Sequence, residues 1–590
     1  MSKSEVVAAV SAKNVRASVE RIVRDIPHRA AGSVNGRRMA EFSRDAMKAA
    51  GADTVAIHEL PAVVSFPEHA EFRVLSPVDM AIQANTLGHS LETMPEGLSG
   101  ELVYIGAGAE KDFEGKDVRG KIVLTELSYS PARHEKQRLA GLRGAIGAVM
   151  MNWGGPENTA VPYGSVKPVW GNPTPENEKT EMAVMPCIGI ARTAGLQLKA
   201  MCEKGPVRVW LRAHVKNGWH PVQITVAEIA APNSREPGDF IMVGGHQDSW
   251  PGEAATDNAA GSAIMIELAR VFKPHQAKLR RGLLFGFWTA HETGTMAGSA
   301  WFADRYWDKL RDHGCAYLQI DQPSCIGTSI WHTTSNVELK DFHQREERAM
   351  VPGREISWKR VAKSGDASFI GVGIPMFQGE GAFTEAELKA TALATRGWWH
   401  HSIECTIDKL DWDYMQDHVR VYAAYLWELC TAPVLPFTYA PVAAQIEKRL
   451  QEVEASGKAV GLEGVAARAK EFAKAAAKLD AAAAAAKAAF EAGKGDEAGA
   501  RRLNGAMKRL SRLLVPLMSS AIGKYGHDPY GYTPQGTMIP SLYDLGRLAK
   551  LPEGAERWML ETRAVRDRNR VADTIAESIA IIDDALARTA

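Results

Sequence analysis

Residues 282–302 read GLLFGFWTAHETGTMAGSAWF. The apolar run Leu283–Trp288 is strand-like and is followed, after a short connection, by His291-Glu292, a Gly-containing turn and a helix-like stretch. A strand that delivers an imidazole and a carboxylate at its C-terminal end puts reactive groups where open α/β sheets build their sites. The surroundings repeat the pattern. GSAIMIELARVF before it reads as a helix, SAWFADRYWDKLRDH after it as another, and AYLQID as the next strand. Upstream, VQITVAEIA and DFIMVGGH read as strands separated by the turn-rich APNSREPG. Strand–helix alternation of this kind predicts a sheet with helices on its faces.

The chain has 590 residues, too many for one core. Residues 14–58 read as two helices and a strand. Residues 60–215 change to short β-like runs (ELVYIG, KIVLTEL, GAVMMN, VRVWLRAHV) spaced by Gly and Pro, as a separate β-rich domain would show. From about 431 the chain turns helical, through the Ala-rich AARAKEFAKAAAKLDAAAAAAKAAFEAG and a long amphipathic final segment. Lys+Arg and Asp+Glu both number 70, so no excess charge points to nucleic acid or to an anionic membrane as partner. No run approaches the roughly 20 apolar residues of a membrane span. The 6 cysteines lie apart, and the N-terminus lacks an apolar signal core, so a reducing cytoplasm is expected.

Five stretches end strands, or follow them, with metal-binding residue types. GGHQDSW offers His246 and Asp248, and EAATDNAAGSA offers Asp257 before a helix. TAHETG offers Glu292, LQIDQPS offers Asp321, and WWHHSIECTIDKLD offers His400 and His401. Imidazole and carboxylate without thiolate suit zinc or a similar divalent ion in a hydrolytic site. Singly, each is weak, because an Asp after a strand is commonly a turn former or helix cap. All five in this order form a constellation.

That order resembles the di-zinc aminopeptidase family, and within it the glutamate carboxypeptidase and transferrin receptor branch. The motifs are His-x-Asp-Ser, Thr-Asp-Asn-x-x-Gly, x-Glu-x-Gly-x-x-x-Gly-Ser, a strand-end Asp, and His-Ser followed by IDKLD. The resemblance implies an α/β, mixed-sheet zinc-aminopeptidase domain from residues 1–59 and 216–430. It further implies an inserted β-rich protease-associated (PA) domain over 60–215 and a C-terminal all-helical dimerisation domain over 431–590. Carried over residue by residue, it implies two divalent metal ions, zinc by family usage, bridged by Asp257. His246 and Asp321 would hold one and Glu292 and His401 the other, with His400 as the alternative to His401. Asp248 would stand behind His246 and fix its ring.

One position departs from the family. The residue before the ligand Glu is usually a second Glu, the general base; here it is His291. Three readings stay open at this point. His291 is the base, for which an imidazole is suited near neutral pH. Alternatively His291 binds metal, or the site has lost hydrolysis, as in the transferrin receptor. Trp250, Trp288, Trp331, Trp398 and Trp399 fall near the motif ends, where core packing is the leading expectation. Asp366, in SGDASFIGVGIPMF, is a weaker site candidate from a stretch that matches the family near its substrate pocket. No equivalent is found of the arginine cluster that reads terminal glutamate. The expected activity is metal-dependent hydrolysis of amide or peptide bonds in a small substrate by a homodimer. Its rivals are a hydrolase or lyase acting on a non-peptide C–N bond of a small aromatic compound, and a non-catalytic binding protein.

Overall fold

A computed structural model describes residues 2–587. Its mixed sheet runs through Thr54–Ser76, Val207–Ile229, Gly282–Trp288, Phe240–His246, Gly314–Gln319, Met376–Ala382, Ile330–Ser335 and Ile356–Arg360. The four strands in the middle of that order pair in parallel and are flanked by antiparallel pairs on both sides. Parallel strands are covered on both faces, and here they are buried at every position of Phe240–His246, Gly282–Trp288 and Gly314–Gln319. The two-residue strand period sorts their side chains. Ile241, Val243, Leu283, Phe285 and Phe287 enter a core shared with the helices Ala12–Asp25, Ala260–Phe272 and Trp412–Thr431. Phe240, Met242, Leu284 and Trp288 enter the core on the opposite face. The Trp288 indole lies across the strands, where a Cβ on Gly244 or Gly286 would come within 2.4 Å or 2.1 Å of it.

The β-rich insert closes on itself. The outer half of Thr54–Ser76 pairs with Met80–Thr86, and that strand pairs with Cys187–Ile190. The ring continues through Gly147–Met151, Ile122–Glu126 and Leu98–Tyr104 to the first half of Val207–Ile229, which pairs back to Thr54–Ser76. The expected domain limits at 59/60 and 215/216 therefore fall inside two 23-residue strands. Those strands pair along both domains, with register shifts between Pro67 and Ala70 and between Val74 and Ser76. Pro61 and Pro221, which break most strands, sit opposite each other. A pair in which neither residue donates a ladder hydrogen bond tolerates both.

The Ala-rich segment forms the 29-residue helix Glu463–Glu491, packed with Ala440–Glu452, Glu497–Ser519 and Ala555–Ala587. SAWFADRYWDKLRDH, read as one helix, forms two, Ala297–Arg305 and Trp307–His313, because Tyr306 leaves helical geometry. Asn504 docks the helical region. Its amide donates to Glu236 Oε1 (2.8 Å) and to the Pro433 carbonyl (2.9 Å), and its carbonyl accepts from the Leu435 amide (2.8 Å).

Glu338, buried in the turn Val337–Leu339 against the helix Ala440–Glu452, has its carboxyl pushed up to about 7 by burial. The folded chain then holds this proton to higher pH than the unfolded chain. Its stabilising contribution is complete below the ordinary carboxyl range and is lost as pH rises toward 7. Glu338→Gln is expected to raise stability at pH 8, by at most about 3 kcal/mol, and to leave it unchanged at pH 4. Denaturant titration at the two pH values measures this.

Candidate metal and catalytic site

The parallel strands end at one edge, and the chain leaves three of the four with a functional side chain. His246 is the last residue of Phe240–His246, His291 and Glu292 follow Gly282–Trp288, and Asp321 follows Gly314–Gln319. Asp257 sits just before the helix Ala260–Phe272, and His400 and His401 arrive on the loop ahead of Trp412–Thr431. The structure thus brings together every side chain singled out for metal binding.

Asp257 is the centre. Its Oδ1 lies 3.0 Å from His246 Nε2, and its Oδ2 lies 3.1 Å from His400 Nδ1 and 3.3 Å from His401 Nε2. His246 Nε2 is also 3.4 Å from Asp321 Oδ1, and His401 Nε2 is 3.1 Å from Glu292 Oε1. Asp248 serves the frame. Its carbonyl faces His246 Nδ1 at 2.9 Å, and its carboxylate accepts the backbone N–H groups of His291 and Glu292, each at 3.2 Å. The Trp250 indole donates to Glu292 Oε2 at 2.7 Å, so this tryptophan belongs to the site, whereas Trp288 and Trp331 are core residues as expected.

Divalent cations fit this donor set. A carbonyl can only accept, so His246 Nδ1 donates to Asp248 and a neutral ring would aim its Nε2 lone pair at two carboxylates, an arrangement that calls for a cation between them. Glu292 Oε1, Asp321 Oδ1 and the Nδ1 atoms of His400 and His401 are buried without a hydrogen-bond partner. Donor atoms converge within 4.8 Å in three sets: His246, His291 and Asp321; Asp257, His400 and His401; and His246, Asp257 and Glu292. The same negative field acts on protons. Burial opposes charge on His246, yet the carboxylates of Asp257 and Asp321 beside its Nε2 raise it well above the ordinary imidazole range. Burial and the neighbouring His401 instead push His400 down to about 4. Of the two adjacent histidines, His401 reaches both Glu292 and Asp257, while His400 reaches Asp257 and stacks on Trp153, ring centroids 5.3 Å apart.

A cavity of about 250 Å³ opens over these groups. Its roof comes from parts of the chain that no motif marked: Arg133, His134 and Trp153 from the insert, Arg396, and Tyr530 from the helical region. The insert also grips the loop after Glu292. Lys167, fully buried, donates to the Gly294 and Gly171 carbonyls at 2.7 and 2.6 Å. His89 Nε2 faces the Thr293 carbonyl at 2.7 Å, and the Ser65 amide donates to the same oxygen at 2.9 Å. Sequence reading missed these residues because their partners at 293 and 294 lie more than a hundred positions away. A lone basic residue in a loop carries no local signal of such a role.

His291 lines the cavity with its ring stacked on His246, centroids 3.9 Å apart, and its Nδ1 lies 2.9 Å from Asp366 Oδ2. Asp366 therefore joins the site, as its weaker sequence signal suggested.

Residues 225–426 match Peptidase family M28, and residues 98–198 match the PA domain. Carboxypeptidase Q of Xenopus laevis is 24% identical over 419 residues, covering 68% of this chain and 83% of the relative. Aminopeptidase YwaD of Bacillus subtilis is 25% identical over 343 residues, 57% of this chain and 66% of the relative. Among solved structures, BSAP, a zinc aminopeptidase from Bacillus subtilis, superposes with a TM-score of 0.54 at 20% identity. That match covers 71% of this chain and 95% of the other and speaks to the fold.

Asp248→Ala would leave the buried amides of His291 and Glu292 without their acceptor. A loss of about 2–4 kcal/mol is expected, read as a lowered midpoint in denaturant titration, with Asp248→Asn losing less.

Proposed function

We propose that this chain, whose residues 225–426 carry a peptidase family M28 domain, hydrolyses peptide or amide bonds of small substrates at a site holding two divalent metal ions. The observation that carries this reading is the set of carboxylates and imidazoles converging on Asp257, with buried donor atoms left unpartnered. In this reading His246 and Asp321 would hold one ion, Glu292 and His401 would hold the other, and Asp257 would serve both. The contact of His401 with both Glu292 and Asp257 favours it over His400. The ions, zinc in this reading, would supply Lewis acidity toward the scissile carbonyl and the attacking water.

The chain's own residues do the rest. Asp248 fixes the His246 ring and ties down the loop carrying His291 and Glu292. Trp250 orients Glu292. His291 takes a proton from the attacking water as the C–O bond forms, and returns it to the amine nitrogen as the C–N bond breaks. The small, roofed cavity limits the substrate and keeps bulk water from the reacting groups. The same reading places the enzyme in the cytoplasm as a homodimer joined through residues 431–590. Trp558 and Met559, adjacent on the final helix and 59% and 69% exposed, support that assembly.

Elemental analysis of protein purified without chelator is expected to give close to two equivalents of divalent metal per chain. His291→Ala should keep both and lose turnover on a panel of dipeptides and aminoacyl-4-nitroanilides by about 10²-fold or more. Loss of one equivalent in that variant would instead make His291 a ligand, and turnover confined to anilides or carbamates would favour a non-peptide C–N substrate. Light scattering is expected to give twice the mass of one chain; a monomer would remove the dimer from the reading.

A further inference from the structure

The hydrogen-bond partners of His291 form a line with one direction. Trp170, on the insert, donates its indole N–H to Ser368 Oγ at 2.8 Å. Ser368 Oγ and Ser299 Oγ are 2.9 Å apart, and Ser299 Oγ donates to Asp366 Oδ1 at 2.7 Å. Asp366 Oδ2 then meets His291 Nδ1 at 2.9 Å. An indole nitrogen can only donate, and an ionised carboxylate can only accept. Ser299 spends its hydrogen on Asp366, the nearer and charged acceptor; the Met296 carbonyl is 3.3 Å away. The bond between the two serines is therefore donated by Ser368. Every hydrogen along the line points toward Asp366, which has none to lend, so His291 must supply the hydrogen at Nδ1.

We propose that Asp366 is a positioning residue for hydrolysis: by accepting the Nδ1 hydrogen of His291, it presents the Nε2 lone pair of that ring to the cavity. This rests on the reading of His291 as base. Asp366 is fully buried and both of its oxygens are used. It reaches the ring because Gly365 precedes it with φ +56°, where a Cβ would come within 2.1 Å of Gln319 Nε2. The ring cannot pivot freely, since its face lies on His246.

The tautomer can be read directly from 15N NMR of histidine-labelled holoprotein, with His291→Gln identifying the resonance. The expected result at the pH of turnover is a ring protonated at Nδ1 alone; a native ring protonated at Nε2, whether alone or together with Nδ1, overturns the proposal. Asp366→Asn carries the second test. Ser299 donates to the amide oxygen, so the amide NH₂ faces His291 and reverses the tautomer. On whichever amide of the panel is turned over fastest, kcat should then fall about 10²- to 10⁴-fold, with KM and bound metal unchanged. Ser299→Ala added to Asp366→Asn frees the amide to turn its oxygen toward His291 and should restore at least about tenfold of the loss, a rescue that a merely structural role would not give. In a His291→Gln background, Asp366→Asn should cost nothing more. Asp366→Asn with kcat within about threefold of the native value, or equal losses in both backgrounds, overturns the proposal. Should Asp366→Asn not fold, the native spectrum decides alone. Full turnover in His291→Gln would sink the base reading instead, and the spectrum still decides which nitrogen Asp366 controls.

Discussion

Asp248, Asp257, Glu292 and Asp321 are drawn to one edge of a sheet and taken almost wholly out of water, where uncompensated carboxylates repel one another and each lost hydration shell is costly. Much of the surrounding architecture answers that cost. Imidazoles from two elements face Asp257, backbone amides of two successive residues face Asp248, and an indole faces Glu292. The oxygens left over, on Glu292 and Asp321, are ones that cations would engage. A site of this kind is assembled at the parallel strands, because their common C-terminal edge lets five separated segments of chain meet at one point.

The insert is part of that assembly. Its buried Lys167, with the ammonium pushed down to about 7 by burial, and its His89 and Ser65 hold the backbone of residues 293–294, directly after the Glu292 carboxylate. Arg133, His134 and Trp153 cover the cavity from the same side, and Tyr530 of the helical region meets them. Three regions that read as separate in the sequence therefore share one chamber.

What the sequence disclosed followed from short-range pattern. The buried strands announced themselves through continuous apolar runs, and the donor residues through their position just after those runs. His246, Glu292 and Asp321 could be found that way, while Asp257 ahead of a helix and the His400–His401 pair on a loop stood out by residue type and order along the chain. The choice between His400 and His401 could not, because it depends on which ring reaches Glu292, a matter of loop geometry. Nor could the grip of Lys167 on Gly294 or the line from Trp170 to His291, since these join residues far apart in the chain with no periodicity to mark them. The continuous strands Thr54–Ser76 and Val207–Ile229 were obscured for another reason: Pro61, Gly218 and Pro221 look like punctuation until one sees that the two prolines face each other.

Those two strands also govern how the chamber can open. A domain hung on loops swings about its hinges; one joined through a long antiparallel ribbon, whose register shifts at Pro67/Ala70 and again at Val74/Ser76, is held far more closely. The compliance left to a ribbon is twist. The insert can then roll over the chamber like the end of a torsion bar, carrying Arg133 and Trp153 with it, while the clamp on residues 293–294 couples that roll to the floor of the site. Any such roll would shift the roof of the chamber and the reactive loop together.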